Sequence, residues 1–107
     1  MLIEKLNYFK VEYLEKLDGE IHMGGMFDDA MSLLKSMNTF IDKILTDLTN
    51  SNDIDDEILK KVKDIKVEYV EFMIDEVNTE GHQDAALGIL EDTCEFVDSL
   101  IKQISEQ

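Results

Sequence analysis

Lys10-Val11-Glu12-Tyr13-Leu14-Glu15 and Lys66-Val67-Glu68-Tyr69-Val70-Glu71 are one hexapeptide written twice, 56 positions apart, with a single aliphatic exchange. Extending that offset aligns residues 2–49 with 58–105 without a gap, and thirteen of the 48 pairs are identical. Roughly four would be expected by chance in so biased a composition. Beyond the hexapeptide the identities are Lys5/Lys61, Glu20/Glu76, Gly25/Gly81, Asp28/Asp84, Ala30/Ala86, Leu34/Leu90, Phe40/Phe96 and Asp42/Asp98. Pairs such as Leu2/Ile58, Leu17/Met73, Ile21/Val77, Leu33/Ile89, Ile41/Val97 and Leu48/Ile104 keep aliphatic character. Two copies are too few for a solenoid. The reading is therefore a duplicated helical hairpin closing into a pseudo-two-fold, all-α, four-helix arrangement, open to dimerisation.

Hydrophobic spacing gives the helices. Leu2, Leu6, Phe9, Tyr13 and Leu17 fall on one stripe at intervals of three and four. Ala30, Leu33, Leu34, Met37, Phe40, Ile41, Ile44 and Leu48 form a second stripe, with Asp28, Lys35, Asp42 and Thr46 opposite. A third runs along Ile58, Val62, Ile65, Tyr69, Phe72, Met73 and Val77, and a fourth along Ala86, Leu90, Thr93, Val97, Leu100, Ile101 and Ile104. The absence of proline and the five glycines favour long, uninterrupted helices. Asp28 and Asp84 stand where an N-cap belongs, at the start of the second helix of each copy. Acids in Ser51-Asn52-Asp53-Ile54-Asp55-Asp56-Glu57 complement the dipole of the third helix. The 107 residues make a single domain, with hairpin one at about 1–50 and hairpin two at about 53–107.

Composition narrows the function. The chain has 25 acids against 10 basic residues, a formal charge of −15, and 44% hydrophobic residues, too apolar for a disordered acidic tail. All ten cations are lysines. Without arginine, and with this net charge, direct nucleic-acid binding is not expected. No apolar run approaches the length of a membrane span and no basic-then-apolar leader opens the chain. The lone Cys94 excludes an internal disulfide and fits a reducing, cytoplasmic setting.

Catalytic motifs are sparse. His22 and His82 lie near the hairpin turns but are not matched between copies. Cys94 projects toward the apolar side of its helix, as a small core residue would. Glu20 and Glu76 project onto the core-facing arc near their helix ends, where each carboxylate is expected to cap backbone N–H groups of a neighbouring helix, the alternative being a metal or ligand group at the bundle end. Glu68-x-x-Glu71, followed after 23 residues by Glu95-x-x-Asp98, is an acid pattern suited to Mg²⁺. It resembles the MazG-type all-α nucleotide pyrophosphohydrolases. That resemblance, confined to Glu68, Glu71, Glu95 and Asp98, implies Mg²⁺-dependent hydrolysis of a nucleotide. Helical projection, however, turns both pairs away from their apolar stripes.

The copies diverge in places where binding can have been added. Ile21-His22-Met23-Gly24-Gly25-Met26-Phe27 is an apolar turn, whereas its counterpart from Val77 to Gln83 is polar. Met23, Met26 and Phe27 are thus candidate anchors for a partner. Val67, Val70 and Ile74 form a second apolar line on the third helix, suited to a dimer or groove face. Residues 1–50 carry −4 and residues 51–107 carry −11. Within the second half, Glu91, Asp92, Glu95 and Asp98 make a dense acidic face. Duplex DNA carries roughly 18 charges over 30 Å, a total comparable with this chain's. The expectation is a non-enzymatic, cofactor-free module that occupies a basic protein surface, such as that of a nucleic-acid-binding enzyme. An inhibitor, immunity or anti-defence factor is the natural instance. A homodimeric adaptor and the Mg²⁺-dependent hydrolase are the alternatives.

Overall fold

The computed structural model describes residues 2–22, 27–51, 55–78 and 83–106, with the side chains of residues 22, 27, 28, 78 and 83–85 outside that description. The chain is all-α, and among the described residues it forms four helical rods and no strand. The first rod is α-helical over Leu2–Phe9, π-helical over Lys10–Leu14 and α-helical again over Glu15–His22. The second is the uninterrupted helix Phe27–Asn50. The third repeats the composite pattern, with Asp56–Asp64, the π-helical Ile65–Val70 and Glu71–Asn78. The fourth is Gln83–Ser105. Asp55 starts the third rod: its extended backbone (φ −69°, ψ 132°) lets its carboxylate accept the Glu57 N–H at 2.9 Å. Asp56 and Glu57 follow in the first turn, where negative charge meets the positive end of the helix dipole.

Each rod packs on two neighbours and, among the described residues, none packs on its diagonal, so the cross-section is a square ordered first, second, third, fourth. Neighbouring rods are antiparallel. Lys5, at the start of the first, pairs with Asp47 at the end of the second, and Lys61 of the third bonds to Gln103 of the fourth. Lys10–Asp98 and Lys66–Asp42 tie the first rod to the fourth and the third to the second. The result is an elongated body of 42 × 22 × 18 Å around one apolar core.

The core residues explain the π-helical segments. In the first rod the buried positions are Leu6, Phe9, Leu14, Leu17 and Ile21, and in the third, beyond Ile58, they are Val62, Ile65, Val70, Met73 and Val77. Both runs step by three, five, three and four. A step of five is out of phase with an α-helix, and it is accommodated by the wider i→i+5 turn. The Glu15 N–H bonds to the Lys10 carbonyl, and the Glu71 N–H bonds to the Lys66 carbonyl. Each π bond therefore closes from first to last residue of the recurring hexapeptide.

This geometry corrects several expectations built on unbroken α periodicity. Leu14 and Val70, not Tyr13 and Tyr69, occupy the core, and the two tyrosines are half-buried at the rim. Phe72, expected inside, is 51% exposed. Glu20 and Glu76 rotate off the core arc to half-buried positions while Ile21 and Val77 take the interior. The second and fourth rods contain no such turn, and their stripes follow the expected spacing. Asp28 and Asp84, proposed as caps, have side chains outside the described residues.

Candidate functional site

Two aromatic seams occupy opposite sides of the square. Between the first and second rods, the Tyr13 and Phe40 rings lie 5.2 Å apart at 39°. Between the third and fourth rods, Tyr69 and Phe96 lie 5.1 Å apart at 38°. Half-buried rings at a helix–helix groove seal the core rim and leave one edge at the surface. The chemistry flanking these matched pairs differs sharply. Beside Tyr13 and Phe40 the second rod presents Lys35, Ser36, Thr39 and Lys43. The positions 56 further on are Glu91, Asp92, Glu95 and Ser99.

The acidic seam draws on both of its rods. Burial raises the Tyr69 phenol above its ordinary range, and Asp92, Asp64 and Glu68 raise it further by electrostatic repulsion of the phenolate. Carboxylates from the third and fourth rods thus act on one phenol. Glu91, Asp92 and Glu95 are exposed and have no ion pair among the described residues. Asp98 is exposed but already engaged, 2.7 Å from the Lys10 ammonium, whose pKa its hydrogen bond raises. Glu68, Glu71 and Asp75 line a groove on the third rod with Val67 and the exposed Phe72. An apolar anchor is thereby framed by three acids.

The acids of the Mg²⁺ pattern are placed apart: Glu68 and Glu71 face outward from the third rod, whereas Asp98 turns toward Lys10 on the first. No group of three or more His, Cys, Asp or Glu able to hold a metal ion occurs among the described residues. The dimer or groove line is corrected. Val70 is wholly buried because the π turn carries it inward, and Ile74 is half-buried against the core. Only Val67, at 41% exposure, remains on the surface. Cys94 packs part-buried against the core, where burial pushes its thiol up and Asp98 adds to the shift. That is the opposite of an activated nucleophile. Glu20 lines a cavity with Lys16, Gly19, Asp29 and Ser32. Met23 and Met26, and the side chain of Phe27, lie outside the described residues.

Sequence reasoning missed Tyr8, Lys35 and Lys43, which cluster on the first seam, and Phe72 on the third rod. The lysines were detectable by comparing the copies position by position for charge. Phe72 was not, because its exposure depends on the π turn. No protein-family model, curated protein or solved structure matches the chain. No described helix is long and apolar enough to cross a membrane.

Proposed function

We propose that this chain is a non-enzymatic protein-binding module, built by duplication of a helical hairpin, whose acidic seam docks a basic surface of another protein. Inhibition of a nucleic-acid-binding partner by occupying its cationic site is the activity this surface suits best. The observation that carries the reading is the unpaired state of Glu91, Asp92 and Glu95 on exposed turns of the fourth rod. Three carboxylates span about 6 Å of helix axis at ~1.5 Å per residue. That is a mean axial spacing of about 3 Å per charge, close to the ~3.4 Å along one strand of duplex DNA. Unpaired like charges at this density repel one another, so a cationic partner relieves a cost already present in the free protein. Phe72, among Glu68, Glu71 and Asp75, supplies an apolar contact that would give such a complex a slow off-rate.

Ten core pairs support the duplication, since both members of each are buried: Leu6/Val62, Phe9/Ile65, Leu14/Val70, Leu17/Met73, Ile21/Val77, Ala30/Ala86, Leu34/Leu90, Met37/Thr93, Ile41/Val97 and Ile44/Leu100. One scaffold that places two seams identically is free to vary the charge of each.

The test is affinity capture from a cell lysate at low salt, with the wild type and with E91K/D92K/E95K. A partner retained by the first and lost by the second is expected. Its affinity should fall steeply as ionic strength rises from 0.05 to 0.5 M, chosen because the screening length drops through roughly 10 Å at 0.1 M. Equal capture by both proteins, or an affinity indifferent to salt, refutes the reading.

A further inference from the structure

We infer that two copies of this chain pair face to face through the first seam, about a two-fold axis running parallel to the rods. The observations concern a surface that the acidic-seam reading does not use. Tyr8 is 52% exposed although its ring lies 5.3 Å from Phe40, and the residue 56 positions on is Asp64. Tyr8, Tyr13 and Phe40 share one open cavity with Glu4, Lys5 and Lys43. That cavity continues into a second through Tyr13, Phe40 and Lys43, and into a third through Ser32 and Ser36. A groove with aromatic rings at its centre therefore runs between the first two rods from Glu4 to Glu20.

Charge decides what covers it. The rod-one edge of the groove carries Glu4 and Glu20, with Lys5 held by Asp47 at 2.7 Å and Lys16 held by the neighbouring Glu12 at 2.9 Å. The rod-two edge carries Lys35 and Lys43, neither of which has an ion pair among the described residues, with Asp29 at its far end. Two copies can meet through three pairings of seams, and first seam on first seam with the axis across the rods sets acidic edge on acidic edge and lysine edge on lysine edge. Acidic seam on acidic seam sets carboxylates against carboxylates. First seam on acidic seam satisfies Lys35 and Lys43 but drives Glu4 and Glu20 onto the acids of the third or fourth rod. First seam on first seam, with the axis along the rods, lays the acidic edge of each copy over the lysine edge of the other. Levels along the bundle are then preserved, so Glu4 meets Lys43 of the other copy, since both already line one cavity. Glu20 likewise meets the other copy's Lys35, since their cavities share Ser32 and Ser36. Only the last pairing is self-complementary, as a closed two-fold interface must be. It buries the Tyr8 rings centrally and leaves both acidic seams facing outward, far apart.

The test is the mass of the full chain by sedimentation equilibrium between about 5 and 200 μM at 50 mM salt. The expected species is twice the 12.3 kDa chain. Y8E should reduce it to the monomer, with an unchanged helical circular-dichroism spectrum showing that the fold survives. K35E/K43E and E4K/E20K should each be monomeric alone, because each sets like charges opposite one another. Mixed in equal amounts they should form a heterodimer, since one then supplies two basic edges and the other two acidic ones. E91K/D92K/E95K should dimerise as the wild type does, so failure of partner docking and failure of dimerisation are read separately. A wild-type monomer throughout the range, or a dimer that survives both charge reversals, overturns the inference.

Discussion

Removing Val11 should leave the fold standing, whereas removing one residue from an α-helical stretch of equal exposure should abolish it. Val11 lies inside the first π turn and is 50% exposed. Its deletion shortens the Phe9-to-Leu14 step from five to four. The buried run then steps by three, four, three and four, which an ordinary α-helix satisfies. The following residues keep their angular positions, and the loss is one half-exposed valine, of order 1 kcal/mol or less. Deleting exposed Ser36 from the second rod is the contrasting case. That rod has no turn able to absorb the change, so everything after it rotates by about 100°. Met37, Ile41, Ile44 and Leu48, each at most 9% exposed, would leave the core. At ~1.5–3 kcal/mol per buried side chain the loss is about 6–12 kcal/mol, as large as the whole stability of a typical domain. Urea denaturation followed at 222 nm compares the two. A cooperative transition for the Val11 deletion with a midpoint near wild type, and none for the Ser36 deletion, is expected. If the Val11 deletion unfolds the protein, the π turn is not a phase correction and the account of the core is wrong.

Further expectations concern single side chains. Leu14→Ala should cost about 2–5 kcal/mol in urea denaturation, and Val11→Ala less than about 0.5, although unbroken α periodicity ranks neither position as core. The Asn38 Oδ1 is buried without a hydrogen-bond partner, so Asn38→Ala should stabilise by about 1 kcal/mol, read as a higher urea midpoint. Asp55→Ala removes the carboxylate that accepts the Glu57 N–H and should cost about 1 kcal/mol. Burial raises the phenols of Tyr13 and Tyr69 in the folded state. The unfolded chain therefore ionises first, near pH ~10. Their contribution is complete below that pH and disappears as pH rises through the folded values. The urea midpoint should fall between pH 9 and 11, and Tyr13→Phe/Tyr69→Phe should make that fall shallower.

The number and order of the helices were legible because amphipathic spacing reports burial directly, and the second and fourth rods obey it without interruption. The recurrence of Lys10–Glu15 at Lys66–Glu71 was equally legible as a repeat, but not as a π turn. A π turn differs from an α turn by one residue per turn, and only the step from Phe9 to Leu14 betrays it. Reading that step as Phe9 to Tyr13 gives an acceptable α interval with an aromatic residue, so pattern alone prefers the wrong answer. From that one slip follow the misplacement of Phe72 and Val70 and the inward assignment of Glu20. The exposure of Glu91, Asp92, Glu95 and Asp98 was legible, because they lie on an unbroken helix whose outward side follows from Leu90, Val97 and Leu100. What sequence hid there was the pairing of Asp98 with Lys10, a contact across two rods distant in the chain.

The most direct test of the acidic seam as the docking surface is to map the contact on the isotope-labelled chain by amide chemical-shift changes as the captured basic partner is added. The largest changes should fall at Glu91–Asp98 on the fourth rod and Glu68–Asp75 on the third. Changes concentrated instead at Lys35–Lys43, or spread evenly over the bundle, would contradict it.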